Sequence, residues 1–521
     1  MARRALLIVS NSMSAYARMG IGLIISLLIT KTALSVVADN SATAKEVFGV
    51  FILLISMISF GDFVNDSLQK SFIRFLSISI HRGDSTHTIE LFRSGWLVSL
   101  GLGIILSSVA VILIPRLLHL FDISSELSDQ ARHAVLVISV INIAKAAVQP
   151  WVSALQAKDK FAVENTRILV ERILILLGLY FLPYIKFPIL IKLSVVWLSP
   201  AIITMVPVCL WMSLHYPEFR LQRRRPSWHH CKPLFILSSW SSLTGLASNF
   251  YERTDQVLIN ILLGPVYNAF YAIVLQFESM VSSVTSALTQ VALPTASRLA
   301  DSGSLWEKQQ FVIRATKLIL AVTLPFAVAL SVFRQELVKL WLGEGFGPVS
   351  KVLPLAMLLI TCRAPNVVTW LYLTAIGRLK WPALLMLADG IVNIGLSVFY
   401  VVILKQGFIG ILMGTVSTSI LRFIIFQGPY TAKHIGLASC EYWKRGFLRP
   451  LASTLWLGPL FWTIQACVSS SLYQVAFAGL TGCLYAGWVW AVVFDNYERS
   501  LLKDIMVRPF KRDAETARIV I

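Results

Sequence analysis

Residues 95–115 read GWLVSLGLGIILSSVAVILIP, a run of 21 residues without an ionisable side chain. As a helix this run is about 30 Å long, which is the thickness of the hydrocarbon core of a bilayer. Comparable runs, about fourteen in all, have approximate limits 13–37, 46–67, 95–118, 132–154, 165–184, 189–213, 234–262, 268–294, 312–333, 350–374, 382–404, 407–430, 450–470 and 473–494. The connectors are short and leave no room for a folded catalytic domain. The sequence therefore predicts an all-α polytopic membrane protein with about fourteen transmembrane helices.

The composition of the whole chain agrees with this class of protein. Of its 521 residues, 56% are hydrophobic and 14% are charged, whereas soluble domains have about 45–50% and about 25%. These values exclude a soluble globular enzyme, a disordered chain and a collagen-like fibre. The six cysteines are scattered singly, so we expect reduced thiols. The first apolar run continues to about Val37 without a cleavage site, which indicates an uncleaved first span.

The basic residues predict the orientation in the membrane. Lys and Arg number 46 against 27 Asp and Glu, a formal net charge of +19. With the N-terminus in the cytoplasm, roughly 28 basic residues fall in inside segments and roughly 6 in outside segments. The positive-inside rule then predicts a multi-pass protein of the cell (inner) membrane with both termini cytoplasmic. Because long apolar runs surround the basic residues, we expect no nucleic-acid partner.

An internal repeat is visible at an offset of about 222 residues. Val47-Phe-Gly-Val-Phe51 aligns with Ala269-Phe-Tyr-Ala-Ile273, and Leu118-His-Leu120 aligns with Leu340-Trp-Leu342. The same offset carries spans 1–6 onto spans 7–12, which is typical of transporters with two parallel, pseudo-symmetric halves. The predicted domains are an N-terminal six-helix half at 1–213, a basic cytoplasmic linker at 214–233, a C-terminal six-helix half at 234–431, two additional helices at 432–494 and a basic cytoplasmic tail at 495–521.

Ionisable side chains inside the spans are candidate functional residues, because each costs about 2.5–3.5 kcal/mol at mid-span. They are Arg18, Lys31, Asp62, Asp66, Lys145, Glu171, Arg172, Glu252, Arg253, Asp255, Glu278, Arg363, Asp389 and Arg422. We interpret them as lining a water-filled, largely cationic cavity between the halves. The competing interpretation is snorkelling from span ends or structural ion pairing. It is the favoured one for Arg18, Asp66, Lys145 and Arg172, which lie near predicted span ends.

Span 7 carries the densest group of charges, Glu252-Arg-Thr-Asp255. Glu252 and Asp255 are three residues apart and share one helix face. Arg253 is suited to binding an anionic headgroup while the two carboxylates bind H⁺ or Na⁺. The alternative is a structural pair in which Arg253 neutralises a carboxylate within the turn.

Motifs for enzymatic chemistry are absent from the sequence. There is no G-x-x-x-x-G-K-[ST] P-loop, no G-x-S-x-G and no H-E-x-x-H. His229-His-Cys231 lies in the basic linker without spaced partners, so we predict no metal site. We expect no catalytic residues, no cofactor and no ATPase activity, and hence a protein that is not an enzyme.

Several local motifs resemble the multidrug/oligosaccharidyl-lipid/polysaccharide exporter superfamily. They are Glu46-Val-Phe-Gly-Val-Phe51, Phe60-Gly-Asp62 followed by Arg74, Arg253-Thr-Asp255, Leu262-Leu-Gly264, Ala269-Phe-Tyr271, Pro294 followed by Ser297-Arg298-Leu299, and Leu340-Trp-Leu-Gly343. Within that superfamily the chain is most similar to the polysaccharide-synthesis branch, the Wzx-type flippases of lipid-linked oligosaccharides. The resemblance covers roughly residues 10–430, and the last two spans depart from the twelve-span members.

The resemblance implies a flippase that moves a polyprenyl-diphosphate-linked oligosaccharide, such as an O-antigen or exopolysaccharide repeat unit, by alternating access. The basic residues Arg253, Arg363, Arg422, Lys31 and Arg18 would bind the diphosphate and acidic sugars. The acidic residues Asp62, Asp255, Glu278, Asp389 and Glu252 would bind the coupling ion, H⁺ or Na⁺. Its partners would be this substrate, membrane lipids, and a polymerase and other glycan-assembly proteins.

Other functions remain open on the sequence. A lipid II-type flippase fits the two extra spans, which would line a lipid groove. A cation-coupled multidrug exporter is disfavoured because basic residues match or outnumber acidic ones in the spans. A membrane glycosyl polymerase or ligase is disfavoured by the short outside loops, and a non-transporting scaffold by the number of intramembrane charges.

Overall fold

Helices form nearly all of the chain in a computed structural model that describes residues 2–38, 44–121, 123–221, 253–376, 380–468, 470–493 and 499. None of these residues lies in a β-strand. The helices are α1 (Ala2–Ala38), α2 (Ala44–Arg82), α3 (Ser85–Leu117), α4 (Ser125–Ala157), α5 (Phe161–Phe181), α6 (Ile189–His215), α7 (253–262), α8 (Pro265–Ser302), α9 (Leu305–Val332), α10 (Arg334–Leu342), α11 (Gly347–Ala375), α12 (Lys380–Val398), α13 (Gly407–Leu421), α14 (Gly428–His434), α15 (Ser439–Tyr442), α16 (Arg449–Thr454), α17 (Leu457–Cys467) and α18 (Ser471–Trp488). Four π-helical turns follow α12, α13, α15 and α18, at Phe399–Ile403, Arg422–Gln427, Trp443–Leu448 and Val489–Val493.

Local sequence signals explain where several helices begin. The Asp84 carboxylate accepts a hydrogen bond of 2.9 Å from the His87 backbone N–H and caps α3. Ser304 and Glu307 form a reciprocal capping box at the start of α9. Between α7 and α8, Gly264 has a φ of +86°, which glycine adopts without steric cost, and Pro265 follows as the first helical residue.

Eight helical segments are long and apolar enough to cross a membrane, judged by length and composition over the described residues. They are Ala17–Val37, Ser85–Leu120, Ser125–Ala157, Ile189–His215, Leu305–Val332, Gly347–Leu373, Leu384–Ile403 and Gly407–His434. Each overlaps a predicted span, so the all-α polytopic class is confirmed. The other six spans, 46–67, 165–184, 234–262, 268–294, 450–470 and 473–494, stay predictions, as do the total of about fourteen and the cytoplasmic placement of both termini.

The helix bounds follow the 222-residue offset of the sequence repeat. Adding 222 to the bounds of α2 gives 266–304, beside the observed Pro265–Ser302. The same shift takes α4 to 347–379, beside Gly347–Ala375, and α6 to 411–437, beside the segment that α13 and α14 form. Helix lengths and turns therefore recur along the chain more clearly than residue identities do. The predicted domain boundaries at 213, 233, 431 and 494 stay predictions.

The chain forms two compact units, each composed of two segments. Unit 1 comprises Met1–Gln276 and Ala383–Ile411, and unit 2 comprises Phe277–Pro382 and Leu412–Ile521. One core of unit 1 packs Phe72 of α2, Phe92 of α3 and Trp151 of α4 around Phe219. One core of unit 2 packs Leu320 of α9 and Val368 of α11 around Tyr442. These rings and aliphatic side chains set the positions of the helices that carry the charged residues.

Gly49 allows the starts of α2 and α8 to come into contact in unit 1. A Cβ atom at Gly49 would overlap the carbonyl oxygen of Pro265. The Asn268 side chain also donates a hydrogen bond of 3.1 Å to the Gly49 carbonyl oxygen. The motif Val47-Phe-Gly-Val-Phe51 therefore makes a close helix–helix contact, and its glycine is required there for space.

Replacing Gly49 with alanine is expected to lower the stability of the purified protein by about 1–3 kcal/mol, because overpacking at a close backbone contact forces the helices apart. Gly101→Ala in α3 is the matched control, since a Cβ atom there meets nothing within 4 Å. The comparison is the apparent Tm of the two variants in one detergent. Equal Tm values would contradict this account of Gly49.

Candidate functional site

A buried carboxylate in unit 1 connects three helices. Asp255 of α7 is 1% exposed. One of its carboxylate oxygens accepts a hydrogen bond of 3.0 Å from the Tyr271 hydroxyl of α8. The other accepts one of 2.8 Å from the Asn393 side-chain amide of α12. These two hydrogen bonds tie the Asp255 carboxylate to α8 and α12.

The alternative interpretation of Arg253, a pair with a carboxylate of its own turn, is not seen among the described residues, which exclude Glu252. Its Nη1 donates instead to Oε1 of Gln256, at 3.4 Å. The same Gln256 oxygen accepts a hydrogen bond from the Ser56 hydroxyl of α2. Asp389 lies one helical turn before Asn393 and so shares its face of α12. Unit 1 therefore brings Arg253 and Asp255 onto one short helix and places the helix of Asp389 against it.

A second group of predicted residues lies in unit 2. Nη1 of Arg363, on α11, is 3.6 Å from Oε2 of Glu278 on α8. Glu278 is buried and Arg363 is about a quarter exposed. Arg422 begins the π-helical turn that packs against α11. Arg363 thus has a buried carboxylate partner on α8 and a side chain that is only partly buried.

The remaining predicted residues lie outside these two groups or outside the described side chains. Arg18 is half-buried and Lys31 is exposed, both on α1. Lys31 makes no hydrogen bond or ion pair with a residue of the described ranges. Glu252, and the side chain of Asp62 on α2, lie outside the part that the structure describes.

The sequence interpretation missed a buried charge network on α5. The Arg167 guanidinium donates two hydrogen bonds of 2.8 Å to the Glu164 carboxylate. It donates a third of 2.6 Å to Glu171 and a fourth of 3.1 Å to Thr204 of α6. Two carboxylates thus share one guanidinium, with the bidentate geometry that arginine favours.

A signal for this network is present in the sequence. Glu164, Arg167 and Glu171 are spaced i, i+3 and i+7, so they share one face of a helix. Only Glu171 was singled out, since Glu164 lies just before the predicted start of the span at 165 and Arg167 lies two residues inside it. The adjacent Arg172 donates hydrogen bonds to the Gly22 carbonyl and the Ser26 hydroxyl of α1. These bonds connect α5 to α1.

Known proteins match this chain at three levels: family, sequence and fold. A family described as "Polysaccharide biosynthesis protein" matches residues 44–351. The uncharacterized membrane protein EpsK of Bacillus subtilis (strain 168) is 23% identical over 88% of this chain and 91% of its own length. The inward closed structure of the lipid II flippase MurJ superposes with a TM-score of 0.69 at 15% identity, covering 93% of this chain and 99% of that one.

A transporter of the superfamily that the sequence motifs resemble also has a similar fold. The MOP superfamily transporter from Pyrococcus furiosus, whose binding pocket has reversed polarity, superposes with a TM-score of 0.61 at 14% identity. That match covers 83% of this chain and 96% of the other. At these identities the likeness establishes the fold of the chain.

Proposed function

The chain belongs to the polysaccharide biosynthesis protein family, as its motifs predicted, and from this premise we propose that it is a flippase for a polyprenyl-diphosphate-linked oligosaccharide. The substrate would be an O-antigen or exopolysaccharide repeat unit, which crosses the cell membrane by alternating access. The proposal assigns no catalysis and no cofactor to the chain. A polymerase and other glycan-assembly proteins would use the product outside.

The observation that carries this proposal is the Arg363–Glu278 pair in unit 2, where the π-helical turn that begins at Arg422 packs against the helix of Arg363. A diphosphate is an anion with several acceptor oxygens, and arginine binds such groups bidentately while remaining charged when partly desolvated. Glu278 would hold Arg363 in place when no anion is bound, and the Arg363 side chain is about a quarter exposed. Arg253 in unit 1 and Arg18 and Lys31 on α1 supply further positive charge.

Ion coupling is the second part of the proposal. Asp255 is our first candidate for the ion-binding carboxylate, because it is buried and both of its oxygens are held by neutral donors. Glu278, Asp389, Asp62 and Glu252 are the other candidates. One charge that moves through about 100 mV contributes about 2.3 kcal/mol, which is enough to bias the direction of transport. The coupling ion, H⁺ or Na⁺, is identified by finding which of the two gradients drives transport.

The arrangement favours this substrate over a cationic drug. An exporter of cations requires acidic groups with accessible edges, whereas the accessible member of the unit 2 pair is Arg363. A lipid II-type substrate would present the same polyprenyl diphosphate to these arginines. It would differ from the proposed substrate in its sugar and peptide portion.

Loss of the gene is expected to remove surface glycan while lipid-linked glycan accumulates on the cytoplasmic side of the membrane. Without the flippase the lipid carrier stays loaded in the inner leaflet. The measurement compares the deletion strain with the same strain complemented by the wild-type gene. Normal surface glycan would contradict the proposal. Increased drug sensitivity alone would point to a drug exporter, and short glycans with normal transfer would point to a polymerase.

A further inference from the structure

Unit 1 contains an apolar cleft that the proposed function does not use. It has a volume of about 490 Å³ and is walled by α2, α3, α4 and α7. Its wall on α3 includes Val109, Leu113 and Leu117, which are exposed at 46%, 47% and 37%. Sites for small molecules typically occupy about 300–1,000 Å³. The cleft is therefore large enough for part of a lipid chain and open along the exposed face of α3.

Contacts between α3 and α4 shape the inner end of the cleft. Gly103 of α3 lies against Ala146 of α4, where a Cβ atom would find no space. The Ser107 hydroxyl donates a hydrogen bond of 3.2 Å to the Ser139 carbonyl oxygen. The Ser99 hydroxyl donates one of 2.9 Å to the Ala146 carbonyl oxygen. These contacts fix the two helices to each other, so the cleft is preformed.

Among the described residues that line the cleft, Lys145 is the one with a positive charge, and it lies at this inner end together with the polar side chains of Asn65, Asn142 and Thr254. Lys145 is the twenty-first of the 33 residues of α4, which places it about 6 Å from the helix midpoint and not near a span end, where the sequence interpretation put it. It forms no hydrogen bond or ion pair with any residue that the structure describes. A charge at this depth is costly, and such residues usually have a functional partner.

We propose that this cleft binds the isoprenoid segment next to the phosphate of the lipid carrier, and that Lys145 binds the phosphate attached to that segment. The inference rests on the proposed function and adds to it a site for the lipid part of the substrate. The apolar wall from Gly103 to Leu117 runs about 21 Å along α3. This length accommodates an extended prenyl chain that begins at the ammonium group of Lys145.

The depth of Lys145 selects the lipid carrier over an ordinary phospholipid. The phosphate of a bilayer lipid stays in the headgroup region, about 15 Å from the bilayer centre. A carrier that is being moved across must bring its diphosphate through the centre. In an isoprenoid diphosphate the phosphate is joined directly to the chain, so one ligand fills the cleft and meets Lys145.

The test measures binding of geranylgeranyl diphosphate, a soluble isoprenoid diphosphate, to the full-length protein in nanodiscs. Leu113→Trp fills the cleft and is expected to weaken binding about tenfold or more. Leu136→Trp is the matched control, since Leu136 is a leucine of similar exposure, 49%, on α4 outside the cleft. Lys145→Ala is expected to weaken binding about tenfold, whereas Lys145→Arg retains it. Binding of the uncharged alcohol geranylgeraniol is expected to fall with Leu113→Trp and not with Lys145→Ala.

Three outcomes would overturn the inference. Equal binding by Leu113→Trp and wild type would show that the cleft is not the site. Competition by phosphatidylglycerol at the same concentration would show a general lipid groove. Restoration of binding in Lys145→Ala by the additional change Asp62→Asn would show that Lys145 only neutralises a neighbouring carboxylate. If the variants bind as expected but the wild-type protein moves no lipid-linked glycan in proteoliposomes, this site stands and the proposed function is contradicted.

Discussion

Replacing Arg363 with alanine is expected to reduce glycan export by about 10- to 100-fold, which corresponds to loss of one charge-assisted contact to the diphosphate. The physical reason is that the Arg363 side chain is about a quarter exposed while its Nη1 lies 3.6 Å from Oε2 of Glu278. Export is measured as surface glycan in a deletion strain that carries the variant at wild-type expression. Arg363→Lys is expected to restore only part of the activity, because an ammonium cannot bind two oxygens in the planar geometry of arginine.

Two further variants separate binding from folding. Arg363→Ala leaves Glu278 buried without this partner, which can destabilise the protein. The double variant Arg363→Ala/Glu278→Gln removes both charges and is expected to recover the Tm but not the export. Arg132→Ala removes an exposed arginine that pairs with Asp129 at 3.7 Å, and export is expected to remain normal. Full export by a folded double variant would exclude Arg363 from substrate binding.

The second large effect concerns Asp255. Asp255→Asn is expected to abolish the stimulation of flipping by an ion gradient, because an amide of the same size cannot carry a proton or a cation charge. One charge moved through about 100 mV is worth about 2.3 kcal/mol, so the lost stimulation is about 50-fold at most. Flipping is measured in proteoliposomes with an imposed pH or Na⁺ gradient and again without one. The gradient-free rate is expected to persist.

Asp129→Asn is the control for Asp255→Asn, since Asp129 is an exposed carboxylate on α4. It is expected to retain full stimulation. The Tm of Asp255→Asn shows whether the contacts with Tyr271 and Asn393 survive the change. Full gradient stimulation in a folded Asp255→Asn variant would move the coupling role to another of the candidate carboxylates.

The sequence predicted much of the architecture because hydrophobicity and span length are local properties. A run such as residues 95–115 has to be a helix in lipid, where every backbone group must be satisfied within the segment. The motifs around Gly49 and Asp255 identified the family, and the 222-residue offset anticipated the recurrence of helix lengths. Arg253, Asp255, Glu278 and Arg363 were singled out because charges are rare in apolar spans.

The residues that the charged side chains contact could not be predicted from the sequence in the same way. Arg253 was interpreted as an anion-binding residue, with a carboxylate of its own turn as the alternative partner, and its side chain contacts Gln256. Asp255 contacts Asn393, which is 138 residues later. The Arg167 network was overlooked because the predicted span began after Glu164. The apolar cleft beside Lys145 has no sequence signal, since its wall residues look like any other lipid-facing positions.

Fold class, family and the set of intramembrane charges were therefore readable from the order of residues, because each rests on short-range chemistry along one helix. The Arg363–Glu278 pair, the neutral donors around Asp255 and the cleft beside Lys145 depended on how helices distant in sequence pack together. A helix that is apolar on all sides gives no periodic signal for the face it presents to its neighbours. Side-chain volume and close contacts such as Gly49 with Pro265 decide that face instead.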